Sequence, residues 1–105
     1  MIILKAKQNK SSLINTILAG SDSVCINYSD ACIPSLRGYY LNEEAPLEEL
    51  KELITMIDVS FETRKQYLII YTNKYEDDEK IINLRQWLAV LKPNFSDIII
   101  AVSEK

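Results

Sequence analysis

Gln66–Asn73 (QYLIIYTN) and Asp97–Ser103 (DIIIAVS) are short runs made mostly of aliphatic, β-branched and aromatic residues. Neither alternates apolar with polar. A strand that is apolar on both faces belongs in the middle of a parallel sheet covered by helices. Between the two runs, Tyr75–Lys92 carries Ile81, Leu84, Trp87, Leu88 and Leu91 at helical spacing. Its first turn is rich in acids, Glu76–Glu79, and Pro93 ends it. Strand, helix, strand of this kind is a parallel crossover unit, and it sets the class as α/β.

The rest of the chain extends that unit toward the N-terminus. Met1–Ala6 begins apolar and reads as a first strand. A helix follows, with Asn9 or Ser11 able to cap it and Gly20 placed to end it. Leu13, Ile14, Ile17 and Leu18 share its core face. Ser23–Tyr28 (SVCINY) is a second strand, and Tyr39–Leu41 can supply an additional one inside the long connection Ser29–Ala45. A second helix starts at Pro46, behind the acids Glu43 and Glu44, and carries the stripe Leu47, Leu50, Ile54, Ile57 and Phe61. The order β-α-β-loop-α-β-α-β predicts one domain: a three-layer α/β sandwich, with a mostly parallel sheet of four to five strands, three helices and right-handed crossovers.

Composition excludes several functions. The chain has 105 residues, the size of one domain, and two glycines, too few for a glycine-rich ligand loop. A net charge of −3 argues against phosphate-backbone binding, so direct nucleic-acid contact is not expected. With no histidine, the commonest general base and metal ligand is missing. Cys25 and Cys32 fit neither a zinc pair nor a CxxC motif and read as reduced thiols of a cytoplasmic protein. Met1–Leu4 is too short for a leader's apolar core, and no run approaches the ~20 residues that cross a bilayer. No membrane association, metal or cofactor is expected.

One segment carries a motif. Lys10–Asn15 (KSSLIN), after the first strand, resembles the back half of the P-loop that opens the first helix of P-loop GTPases and ATPases. The resemblance implies a phosphate-binding role for Lys10 and a magnesium-binding role for Ser11. It also implies that the strand YLIIYTN stands at the Walker B position. The chain departs from the family pattern at Leu4 and Asn9, where the motif has glycines, and at Tyr71-Thr72-Asn73, where a Walker B strand ends in an acid.

The carboxyl edge of a parallel sheet is where ligands bind. Here it gathers Lys7, Lys10, Asn27, Ser29, Asp30, Thr72, Asn73, Ser103 and Glu104, without a nucleophile–base pair. Arg37, Tyr39, Tyr40 and Leu41, in a connection too long for a turn, point instead to a protein contact, with Glu43 and Glu44 as its rim. The expectation is a non-catalytic, acidic protein-interaction module, an adaptor or inhibitor whose partner has a basic surface. Small acidic inhibitors encoded by phages and mobile elements, such as anti-CRISPR proteins, have this character. The alternatives are a nucleotide- or phosphate-binding protein on the degenerate P-loop and a small carboxylate-dependent hydrolase. A homodimer is left open.

Overall fold

A computed structural model describes residues 1–20, 22–60, 67–91 and 93–105. Phe61, Gln66 and Lys92, which the sequence assigns to element ends, lie outside the described residues. The elements are β1 (Ile2–Ala6), α1 (Lys10–Gly20), β2 (Val24–Ser29), β3 (Tyr39–Asn42), α2 (Leu47–Ser60), β4 (Tyr67–Tyr75), α3 (Glu79–Leu91) and β5 (Asp97–Ser103). The five strands form one sheet in the order β1-β5-β4-β2-β3, and every neighbouring pair is parallel.

The two apolar runs occupy the interior of this sheet. In β4, Leu68–Thr72 are buried, and in β5, Ile98–Val102. Side chains of alternate residues go to opposite faces. One face carries Val24, Ile26, Tyr28, Leu68, Ile70, Ile98, Ile100 and Val102 against Leu50, Ile54 and Ile57 of α2 and Ile81, Leu84 and Leu88 of α3. The other carries Cys25, Ile69, Tyr71, Ile99 and Ala101 against Ile14 of α1 and Leu36 of the β2–β3 connection. The result is the three-layer sandwich expected, with the optional fifth strand present as β3. The chain runs from β1 to β2 across the sheet with α1 on one face. It returns from β3 through β4 to β5 with α2 and α3 on the other. Reversing direction and face together keeps one hand for the three helical crossovers.

Three local expectations shift. β4 extends to Tyr75, so α3 begins at Glu79 and not at Tyr75. Asp78 is the reason: its carboxylate accepts from the Lys80 amide at 2.9 Å and its carbonyl from the Ile82 amide at 3.0 Å, an N-cap arrangement. Trp87, expected to be largely buried, is only partly so; it packs against the core from the rim of α3, and the Lys51 ammonium of α2 lies 5.8 Å from its ring centre. The third lies in α1, where Leu13, expected on the core face, is 45% exposed. Asn9 has φ +59°, a left-handed conformation that asparagine tolerates, and its carbonyl accepts from Leu13 at 3.1 Å.

Candidate functional site

At the carboxyl edge the pattern of the α1-side face turns from apolar to polar. Register places Ala101, Tyr71, Asn27 and Tyr40 in one row across β5, β4, β2 and β3. Beyond it come Ser103, Ser29 and Asn42. Between Tyr71 and Tyr75 the β4–β5 register slips, the mark of a bulge, a feature over-represented beside functional sites.

Lys10, the first residue of α1, enters this irregular stretch. Its ammonium donates to the Thr72 carbonyl and to Ser103 Oγ at 3.2 Å and sits 4.6 Å from the Tyr71 ring centre. The residue is 6% exposed, and burial lowers its amine to about 8. The link from Ala6 to Lys10 is only Lys7, Gln8 and Asn9. Ser11 is half-buried in the first turn of α1.

The remaining polar groups of the edge hold the chain as it leaves β2. Ser29 Oγ lies 2.6 Å from Asn27 Oδ1 and 3.0 Å from the Ala31 carbonyl, and Asn27 Nδ2 donates to that carbonyl at 2.9 Å. Asn73 Nδ2 donates to Asp30 Oδ1 at 2.9 Å, tying the same turn to β4. Tyr71 donates its hydroxyl to Asn73 Oδ1 at 3.3 Å. Burial raises the Tyr71 phenol, and the nearby Asp30 carboxylate adds to the rise. The sheet edge thus brings Lys10 together with Thr72 and Ser103, Asn27 with Ser29, and Asn73 with Asp30. Lys7 and Glu104 stay exposed, apart from this network.

The second group of candidates forms an edge strand. Arg37, Tyr39 and Tyr40 are exposed, with Tyr39 at 37% and Tyr40 at 41%, while Leu41 turns inward against the core. Gly38 makes the docking of β3 on β2 feasible. Its φ is +137°, and a Cβ there would lie 2.2 Å from the Cys25 carbonyl oxygen. Glu43 is half-buried and Glu44 exposed. Backbone carbonyls of Glu43 and Ala45 take the Lys80 ammonium at 3.1 and 3.2 Å, and the Tyr28 hydroxyl donates to Ala45 at 2.9 Å. The turn after β3 is therefore anchored to the core while its carboxylates remain outside. Arg37 borders a hollow of about 350 Å³ with Asn15, Leu18, Ala19, Ser23 and Ser35.

Sequence reasoning did not foresee a groove of about 540 Å³ between the ends of β1, β4 and β5, bordered by Lys5, Tyr75, Glu76, Asp77, Ser103 and Lys105. Its ion pairs are Lys5 with Glu76 at 2.7 Å, Arg85 with Glu76 at 3.3 Å and Lys105 with Asp77 at 2.6 Å, and Glu104 also borders it. Lys5 and Glu76 each favour the charged form of the other, raising the amine and lowering the carboxyl. Only the adjacency of β1 and β5 brings Lys5 here, and that adjacency has no local signal. Among the described residues no three or more Cys, Asp or Glu side chains gather to hold a metal ion, and no helix is long and apolar enough to cross a membrane. The chain matches no protein-family profile, no curated protein and no solved structure.

Proposed function

We propose that this protein is a non-catalytic interaction module, an adaptor or an inhibitor, that meets a basic protein surface through Arg37–Leu41 with Glu43 and Glu44 as the rim. The observation that carries the reading is the exposure of Tyr39 and Tyr40 on opposite faces of one edge strand, next to an exposed Arg37. Tyrosine and arginine are the residue types that dominate binding energy at interfaces, and neither tyrosine is needed to fill the core. The rim carboxylates speed encounter with a basic partner more than they tighten the complex. Support also comes from the sheet edge, where Lys10, Asn27, Ser29 and Asn73 bond to the protein itself. In this reading the partner is met in the cytoplasm, where Cys25 and Cys32 stay reduced.

The test is affinity capture from the native host, followed by Arg37→Ala and Tyr40→Ala. Each variant is expected to weaken the captured complex by about 2 kcal/mol, roughly thirtyfold, while the melting temperature stays within a degree or two. Full affinity in both variants, or a loss of stability that accounts for the weakened binding, overturns the reading.

A further inference from the structure

We infer that the partner binds by adding an extended basic segment to the free edge of β3, as a sixth strand of the sheet. The inference rests on the interaction reading above and specifies its chemistry. In a parallel ladder the N–H and C=O of one residue point to one neighbour, and those of the next residue point to the other side. The Glu43 amide donates to the Ser29 carbonyl of β2 at 2.9 Å, so Tyr39, Leu41 and Glu43 turn their main chain toward β2. Tyr40 and Asn42 then turn theirs outward. The N–H and C=O of Tyr40 and the N–H of Asn42 form an open ladder at the sheet's edge. Sheet edges of this kind accept extended peptides, with main-chain bonds giving affinity and flanking side chains giving preference.

Charge selects the occupant and the edge. Glu43 and Glu44 flank the carboxyl end of β3, and the Lys80 ammonium beside this turn is already held by the Glu43 and Ala45 carbonyls. The opposite edge of the sheet is β1, which carries Lys5 and is followed by Lys7. A lysine-bearing segment is therefore drawn to β3 by Glu43 and Glu44; β1 offers no such pull, since Glu76 is already paired with Lys5 and Arg85 and Lys7 follows the strand. Tyr39 and Tyr40 stand on opposite faces of the strand; the Tyr40 hydroxyl reaches back to the Ser29 carbonyl of β2 at 3.4 Å, so it is Tyr39 that can cover a row of the incoming segment's side chains.

The probe is a short blocked peptide of alternating lysine and valine, added to the intact protein at millimolar concentration, with amide exchange followed residue by residue. Slower exchange at Tyr40 and Asn42, with no change at Leu41, is the expected result. The same peptide methylated on every backbone nitrogen is expected to give no protection, as is a glutamate–valine peptide. Absence of protection by the lysine–valine peptide overturns the proposal, as does equal protection by either control. Protection of β1 amides instead, or protection of Tyr40 that grows with protein concentration alone, also overturns it, the latter because a second copy then covers the edge. Should strand addition fail while Arg37→Ala and Tyr40→Ala still weaken the captured complex, the interaction surface stands with side-chain contacts only. Failure of both removes both readings.

Discussion

The Lys10 ammonium and the Thr72 carbonyl, 62 residues apart in sequence, are joined by a buried hydrogen bond that pins the start of α1 to the bulge of β4. Burying an ammonium is costly, and the Tyr71 ring and Ser103 hydroxyl offset only part of that cost.

This pin makes stability depend on pH in a defined direction. Burial lowers the Lys10 amine to about 8, against about 10.4 in an unfolded chain. Below pH 8 both states hold the proton and the full cost is present. Between pH 8 and about 10.4 the unfolded chain keeps a proton that the native state has released, so stability rises with pH, by up to about 3 kcal/mol. A neutral amine still donates to Thr72. The stability difference between wild type and Lys10→Met, from denaturant titrations across this range, is expected to climb accordingly. A flat difference sinks the argument.

The two thiols should separate sharply. Cys25 is 1% exposed on the α1-side face, and burial raises its thiol to about 12, whereas Cys32 is exposed in the β2–β3 connection. Only a thiolate reacts with a disulfide reagent. One equivalent of an aromatic disulfide reagent is expected to react with the folded protein at pH 8 and two with the unfolded protein. Two fast equivalents from the folded protein would place Cys25 at the surface.

How much of this was legible follows from where the information sits. The central position of β4 and β5 is written in Leu68–Tyr71 and Ile98–Val102, because only strands covered on both faces lack polar residues. Tyr39–Leu41 was legible as a strand, but not as an edge, since strand order depends on crossovers that leave no local trace. The acids Glu76–Glu79 look like a first turn and draw Tyr75 into α3; only the Asp78 cap shows where the helix begins. The Lys10–Thr72 bond was beyond reach. It needs both the bulge and the packing of α1 over β4. Helical spacing gave the direction of Trp87 correctly and its depth incorrectly, because periodicity carries no distance from the core.

Trp87 provides its own check. A partly buried indole with the Lys51 ammonium 5.8 Å from its ring centre should emit between the fully buried and water-exposed limits. Lys51→Ala uncovers that side of the ring, so a shift to longer wavelength is expected, with a stability loss of about 0.5–1 kcal/mol. Unchanged emission in Lys51→Ala would show that the ammonium does not rest on the ring.

Nucleotide is expected to leave the protein unchanged. The Lys10 amine is engaged with Thr72 and Ser103, and Lys7–Asn9 is the whole connection between β1 and α1. A ligand at a hundred times its dissociation constant adds about 2.7 kcal/mol, which moves the melting temperature of a domain this size by on the order of ten degrees. ATP or GTP with magnesium at millimolar concentration should produce no such shift. A shift that disappears in Lys10→Ala would restore the phosphate-binding alternative.

Gly38 is where the interaction surface is most open to disruption through the fold. Its φ of +137° is strained for any residue with a Cβ, and that Cβ would meet the Cys25 backbone oxygen at 2.2 Å. Backbone cannot yield as a flexible side chain can, so β3 must move away from β2. Gly38→Ala is expected to cost about 2–4 kcal/mol, combining backbone strain with the lost ladder. The loss should be local: amides of Leu41 and Glu43, which face β2, should exchange faster, while those of β4 and β5 keep their protection. Because Arg37, Tyr39 and Tyr40 keep their side chains in this variant, it separates the shape of the edge from its chemistry. Partner binding should fall even where the residual fold is intact. If Gly38→Ala leaves Leu41 protected, the backbone has found another way past Cys25 and β3 is not held as described.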